Sequence, residues 1–134
     1  QKATESGVTN IVPVITERSE KKDLNLERLE KIAVESSEQS GRGDIPKIFP
    51  IISLEKALSD NKEDSFILNK DGDTFKKINI EKVKNLNLFI GPEGGWSENE
   101  EKMFKKNKIK VISLGETLLR TETAAIVACA FSLQ

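Results

Sequence analysis

Two short stretches hold the residues that could do chemistry. "IGPEGGWS" (90–97) and "SLGETLLRTETA" (113–124) each set glycine beside a charged side chain within a few residues. Gly91, Gly94 and Gly95 leave room for a ligand to reach bare amides and carbonyls, and Pro92 stiffens the loop without adding a donor. A loop with so few side chains offers main-chain hydrogen-bonding groups in a fixed array, which suits the edge of a flat heterocycle. A phosphate fits poorly. The chain has no G-x-x-x-x-G-K-[ST], "GPEGGW" lacks the G-x-G-x-x-G spacing, and Glu93 puts a negative charge where the phosphate would sit. A ligand with a positive centre suits that carboxylate better. On these residues alone the plainer reading, a tight strand-to-helix turn with a cap, stays open. In the second stretch Arg120 precedes a helix opened by Thr121, with Glu122 in its first turn. Beside the apolar Leu118 and Leu119 these groups read as a pocket wall with a charged handle, or singly as a cap and surface charges.

Composition narrows the chemistry further. The 134 residues suffice for one domain with a core. There is no histidine, which removes Ser-His-Asp and Cys-His catalysis and leaves carboxylates, lysines or water to move protons. The single cysteine, Cys129 in "AIVACAF", excludes an internal disulfide and a thiolate zinc cage, and reads as a small buried hydrophobe. No metal is expected. With no tyrosine and one tryptophan, an aromatic platform for single-stranded nucleic acid is not expected either. The net charge of −1 exerts no general pull on a polyanion, so any RNA contact needs a local basic patch, a partner subunit or a further region. No apolar run reaches the ~20 residues of a membrane span and no secretory signal opens the chain, so a cytoplasmic protein is expected. The opening "QKATESGV" reads as the interior of something longer.

The elements that must position these loops follow from periodicity and caps. "NIVPVIT" (10–16) is β-rich with Pro13 marking an edge or a strand end, and "ERSEKKD" (17–23) reads as a solvated connection. From Leu24 a helical pattern runs through Leu26, Leu29, Ile32 and Ala33, and stops at Gly41. Its second half carries small residues, Ser36, Ser37 and Ser40, which either admit a close neighbour or are simply exposed. "KIFPIIS" (47–53) is a strand whose Ser53 caps the helix "LEKALSD". "SFILN" (65–69) and "NLNLFI" (85–90) read as buried strands, with "KDGD" (70–73) a turn. Ser97 caps "ENEEKMFKKN", "IKVISLG" (109–115) is a further strand, and Thr121 caps a final helix apolar on nearly every side. Strands alternating with helices predict an α/β domain, a mostly parallel sheet with helices on both faces. In such sheets ligands bind at the carboxyl ends of strands, where both glycine-bearing loops lie.

Four motifs in order resemble a known family. "KATESGV" (2–8), "ESSEQSGR" (35–42), "IGPEGGWS" and "SLGETLLRTETA" are similar to those of the bacterial 16S rRNA uridine-N3 methyltransferases, the RsmE-like branch of the SPOUT superfamily. Ser6 departs from the leucine usual there. The resemblance implies a deep C-terminal trefoil knot, an obligate homodimer, and a pocket for S-adenosylmethionine. Its walls would be Leu68 and Asn69; Ile90, Gly91, Pro92, Glu93, Gly94 and Gly95; and Leu114, Gly115, Leu118, Leu119, Arg120 and Thr121. The substrate implied is 16S rRNA of the small ribosomal subunit. Arg42 would reach the substrate or the partner subunit's pocket, Arg120 would fix the uracil or the cofactor's carboxylate, and either Glu93 or Glu122 would be the base. The family's N-terminal PUA-like RNA-binding domain has no counterpart in these residues, so this stretch alone should lack most affinity for RNA. Sister families that methylate a ribose 2′-hydroxyl, or a non-catalytic dimerisation or RNA-binding module of the same fold, are the alternatives.

Overall fold

Every strand pairing among the described residues is parallel. The computed structural model describes residues 1–20, 23–61, 64–75, 83 and 85–132. In chain order the elements are α1 (Lys2–Glu5), β1 (Asn10–Ile11), β2 (Val14–Ile15), α2 (Leu26–Ser40), β3 (Lys47–Ile48), β4 (Ile52–Ser53) and α3 (Leu54–Asp60). Then come β5 (Ser65–Thr74), β6 (Asn87–Phe89), α4 (Glu98–Lys106), β7 (Lys110–Ser113) and α5 (Thr121–Ser132). β5 lies between β6 and β7, while β1 pairs with β3 and β2 with β4.

Alternation along β5 sets the two sides of the domain. Ile67, fully buried, points into a cluster with Leu54 and Leu58 of α3 and Phe104 of α4. Its neighbours Phe66 and Leu68 point the other way, toward Ile112 of β7 and Ala128 of α5. Side chains of successive strand residues face opposite sides, so one strand can seed two cores. Helices therefore cover both faces, as the α/β pattern predicts.

The caps fall where short-range chemistry puts them. Ser53 accepts from the Lys56 amide, and Ser97 and Glu100 form a reciprocal capping box at the start of α4. Asn25 caps α2, which begins at Leu26, two residues inside the start expected at Leu24, and Gly41 closes it at φ +70°. On α2 the small face receives a neighbour: Ser36 and Ser37 are buried and α1 packs there, while Ser40 is exposed.

Five local expectations need correcting, the first being the strand expected over 47–53, which divides into β3 and β4 around Pro50. The strand expected over 10–16 is two short ones, because Pro13 has no N–H for the ladder; its carbonyl accepts from the Ile52 amide at 3.0 Å. Residues 70–73 are not a free turn but lie within β5, which leaves the β7 ladder after Leu68 and rejoins it at Asp73. At Gly72 the crossing is so close that a Cβ would stand 2.6 Å from the Ile112 backbone, which only glycine allows. Thr121 does not cap α5 but is its first residue; the Ala124 amide returns to the Arg120 carbonyl at 2.8 Å. Finally, Glu17 and Arg18 are not merely solvated but are bonded to α4 and to the glycine loop.

Candidate functional site

The loop after β6 is held by its own backbone and by three outside contacts. The Gly95 amide donates to the Pro92 carbonyl at 2.8 Å, which closes a tight turn, with Gly95 at φ +70°. The Thr121 hydroxyl donates to the Gly91 carbonyl at 3.0 Å and so ties this loop to the start of α5. Arg18 donates from Nη1 to the Gly94 carbonyl at 2.6 Å. Gly91 lies on the indole of Trp96, where an added Cβ would come 3.0 Å from Cε2. The indole is itself fixed: its Nε1–H donates to the Leu68 carbonyl at 3.2 Å, and Phe104 meets it edge-on at 4.9 Å. The carbonyls of Gly91, Pro92 and Gly94 thus each spend one lone pair on the loop's shape.

These contacts leave a cavity of ≈ 680 Å³ at the carboxyl ends of β6 and β7. That volume lies in the ~300–1,000 Å³ range of small-molecule sites. One wall is Ile90, Gly91, Pro92, Glu93, Gly95 and Trp96; a second is Leu118, Leu119, Arg120, Thr121 and Ala124. The third, Leu68 to Asp71, comes from the part of β5 that bulges away from β7 rather than from a strand's end. Three carboxylates (Asp71, Glu93 and Glu101) face two cations (Lys70 and Arg120) around this space, a balance that favours a positive centre. A smaller recess of ≈ 90 Å³ adjoins it, where Leu114 and Gly115 meet Leu68, Asn69, Leu118 and Leu119.

The residues expected at the site divide into two groups. The structure brings together Leu68, Asn69, Ile90 through Glu93, Gly95 and Leu118 through Thr121 at the main cavity, with Leu114 and Gly115 next door. Gly94 turns its carbonyl outward to Arg18. Glu122 is exposed and does not line the cavity. Arg42 is elsewhere and otherwise engaged: Nη1 donates to the Thr4 carbonyl at 2.6 Å and the Val8 carbonyl at 3.0 Å, while Nη2 reaches Asp44 at 2.8 Å. This clamps the α1 turn to the end of α2, and the guanidinium holds the Asp44 carboxyl below its ordinary value, through the hydrogen bond first and through charge. Cys129 is buried and its thiol is pushed up by desolvation, consistent with a core hydrophobe. Sequence reasoning missed Trp96, Lys70, Asp71, Glu101 and Ala124 as cavity residues, and Arg18 as the loop's outer contact. The signal for Glu101 was masked, since an acid in a helix's first turn already satisfies the dipole. Among the described residues no cluster of His, Cys, Asp or Glu could hold a metal, and no helix is long and apolar enough to cross a membrane.

Fold and cavity together define an α/β ligand-binding domain whose cleft is built at the tips of parallel strands. The chain belongs to the RNA methyltransferase domain family, whose model matches residues 1–132. The family resemblance carried by the four motifs thus holds. Ribosomal RNA small subunit methyltransferase E of Rickettsia conorii is 35% identical over 133 residues, covering 96% of this chain and 54% of the relative. The enzyme of the same name from Aquifex aeolicus is 34% identical, covering 94% and 57%. Among solved structures, ribosomal RNA small subunit methyltransferase E from Neisseria gonorrhoeae, bound to S-adenosyl methionine, superposes with a TM-score of 0.89 at 34% identity, over 96% of this chain and 56% of that one. A Legionella pneumophila chain in complex with SAM gives 0.86 at 32%, over 97% and 57%. The chain spans a little over half the length of the curated relatives it matches.

Proposed function

We propose that residues 1–134 form the methyltransferase domain of a cytoplasmic, homodimeric enzyme that uses S-adenosylmethionine to methylate N3 of a uridine in 16S rRNA of the small ribosomal subunit. The observation that carries this reading is the cavity itself. Peptide edges at 90–95 and 118–121, the Trp96 indole and an excess of carboxylates suit a nucleoside that bears a positive sulfur. The SAM-bound relatives from Neisseria and Legionella support the same ligand. The trefoil knot belongs to this proposal, supported by the parallel order β6-β5-β7 and by the likeness to those structures. So does the dimer: α5 leaves Ile126 and Phe131 more than a third exposed on an otherwise apolar helix.

When bound, S-adenosylmethionine supplies an electrophilic methyl group on a cationic sulfur. The chain's own residues then have three tasks. Leu68, Ile90, Leu118 and Leu119 flank the ligand with apolar surface, and main-chain groups of the two loops read its edge. Uridine N3 carries a proton and becomes nucleophilic only when that proton leaves. Glu93, which lines the cavity where Glu122 does not, takes it on a carboxylate oxygen. The uracil anion spreads over the two flanking carbonyl oxygens, and Arg120 donates to one of them. Alignment does the rest, since reacting groups held in near-attack geometry can account for ~7–11 kcal/mol of a barrier.

Calorimetric titration with S-adenosylmethionine tests the cofactor, and mass analysis of digested rRNA after incubation with the dimeric protein and any further domain tests the product. The methyl group should map to the uracil base. A methyl group on ribose would assign the 2′-hydroxyl chemistry instead, and no cofactor binding would leave a non-catalytic module.

A further inference from the structure

We infer that Arg18 is a positioning residue that holds the 91–95 loop, from outside the cavity, in the shape that receives the ligand. The inference rests on the cofactor reading above. A loop almost without side chains can hold itself only through its own turn, so its other fixed points must come from elsewhere in the chain. Thr121 supplies one at Gly91 and the 92–95 turn closes on itself. A third carbonyl of the loop, that of Gly94, is met by Arg18 Nη1 at 2.6 Å across a separation of 76 residues. The contact is more than one hydrogen bond. The Arg18 stem packs so closely on Gly94 that an added Cβ there would lie 3.3 Å from both Cβ and Cδ of the arginine.

Arg18 can brace the loop because its own turn is anchored. Thr16 and Ser19 bond hydroxyl to hydroxyl at 2.8 Å, and the Thr16 amide donates to Ser19 Oγ at 3.0 Å. The Glu17 amide donates to Glu100 Oε1 at 2.9 Å, and Glu100 Oε2 accepts from the Ser97 amide at 2.7 Å. Glu100 is only 1% exposed, so this carboxylate joins the 16–19 turn to the start of α4 through two backbone donors in a shielded place. Turn, helix start and glycine loop form one unit, with the cavity on its inner side and Arg18 on its outer side.

The test uses Arg18→Met, which keeps the apolar stem and removes every donor, and Arg18→Lys, which keeps the charge and one donor. Three quantities are measured: amide exchange at Gly94 and Gly95 without ligand, S-adenosylmethionine affinity, and the thermal midpoint. Losing one charge-assisted hydrogen bond should speed exchange and weaken affinity by about 5–10-fold each in Arg18→Met, with partial recovery in Arg18→Lys. The thermal midpoint should fall by no more than about 5 °C, the share of that one bond, whereas a merely structural role would lower it further and speed exchange across the whole domain. Unchanged exchange in Arg18→Met overturns the brace whatever the ligand. Faster exchange with unchanged affinity, in a parent protein that binds, overturns its link to the ligand. A parent protein that does not bind S-adenosylmethionine sinks the cofactor reading and that link with it, while exchange still decides the brace.

Discussion

Gly91→Ala is the sharpest probe of the packing under the glycine loop. The added methyl would stand 3.0 Å from Cε2, 3.2 Å from Nε1 and 3.3 Å from Cδ2 of Trp96. Carbon atoms prefer about 3.5–4.0 Å, so the indole or the loop must retreat by roughly 0.5 Å. The indole has little freedom, since it is 9% exposed, bonded to the Leu68 carbonyl and flanked by Phe104. Overpacking of this kind costs about 1–3 kcal/mol, and a strained indole hydrogen bond adds up to about 1 kcal/mol. Against this, alanine restricts the unfolded chain and returns about 0.4–1 kcal/mol, because Gly91 is not among the positive-φ glycines. The net expectation is a loss of about 1–3 kcal/mol, or roughly 3–10 °C in thermal midpoint for a domain of this size. Trp96 is the only tryptophan, so its emission reports the displacement directly, beside thermal unfolding followed by circular dichroism. Adding Trp96→Phe, which removes the Nε1 atom and half the crowded ring, should make the double variant lose less than the sum of the singles. A Gly91→Ala protein with parental midpoint and emission would refute the steric argument.

Other predictions rest on separate features. Arg42→Ala removes charged donors from the Thr4 and Val8 carbonyls, and should cost about 2–4 kcal/mol in denaturant unfolding. Because Arg42 is outside the cavity, S-adenosylmethionine affinity should not change, and a selective loss of affinity would return Arg42 to the site. Asp44→Asn tests the same clamp by pH: the carboxyl's value is lowered in the folded state, so its contribution is present above its ordinary range and fades as acid protonates it. Parent and variant should therefore differ in unfolding midpoint at neutral pH and converge as the pH falls through the carboxyl's lowered value. Glu93→Gln should weaken S-adenosylmethionine more than S-adenosylhomocysteine, by a factor of about 2–5, since only the first carries a sulfonium charge; equal losses in titration would argue against that role. Cys129, buried and shifted upward, should react with a thiol reagent at neutral pH far more slowly than after denaturation.

What the sequence by itself determined is what short-range forces decide. The alternation of strands and helices, the caps at Ser53 and Ser97, the stop at Gly41 and the bare loop at 90–97 all depend on residues a few positions apart. The motif resemblance adds the family for the same reason, because its segments are contiguous. The tertiary structure decided which groups meet across long stretches of chain. Arg18 reaches Gly94, Glu17 reaches Glu100, Thr121 reaches Gly91 and Trp96 reaches Leu68, over 76, 83, 30 and 28 residues. It also tied Arg42 to the Thr4 and Val8 carbonyls and left Glu93, not Glu122, lining the cavity of its own chain. A charged side chain looks the same in a local pattern whether it faces water, a buried carbonyl or a ligand. Only the folded path, set by which apolar faces bury together, brings its partner within hydrogen-bonding distance.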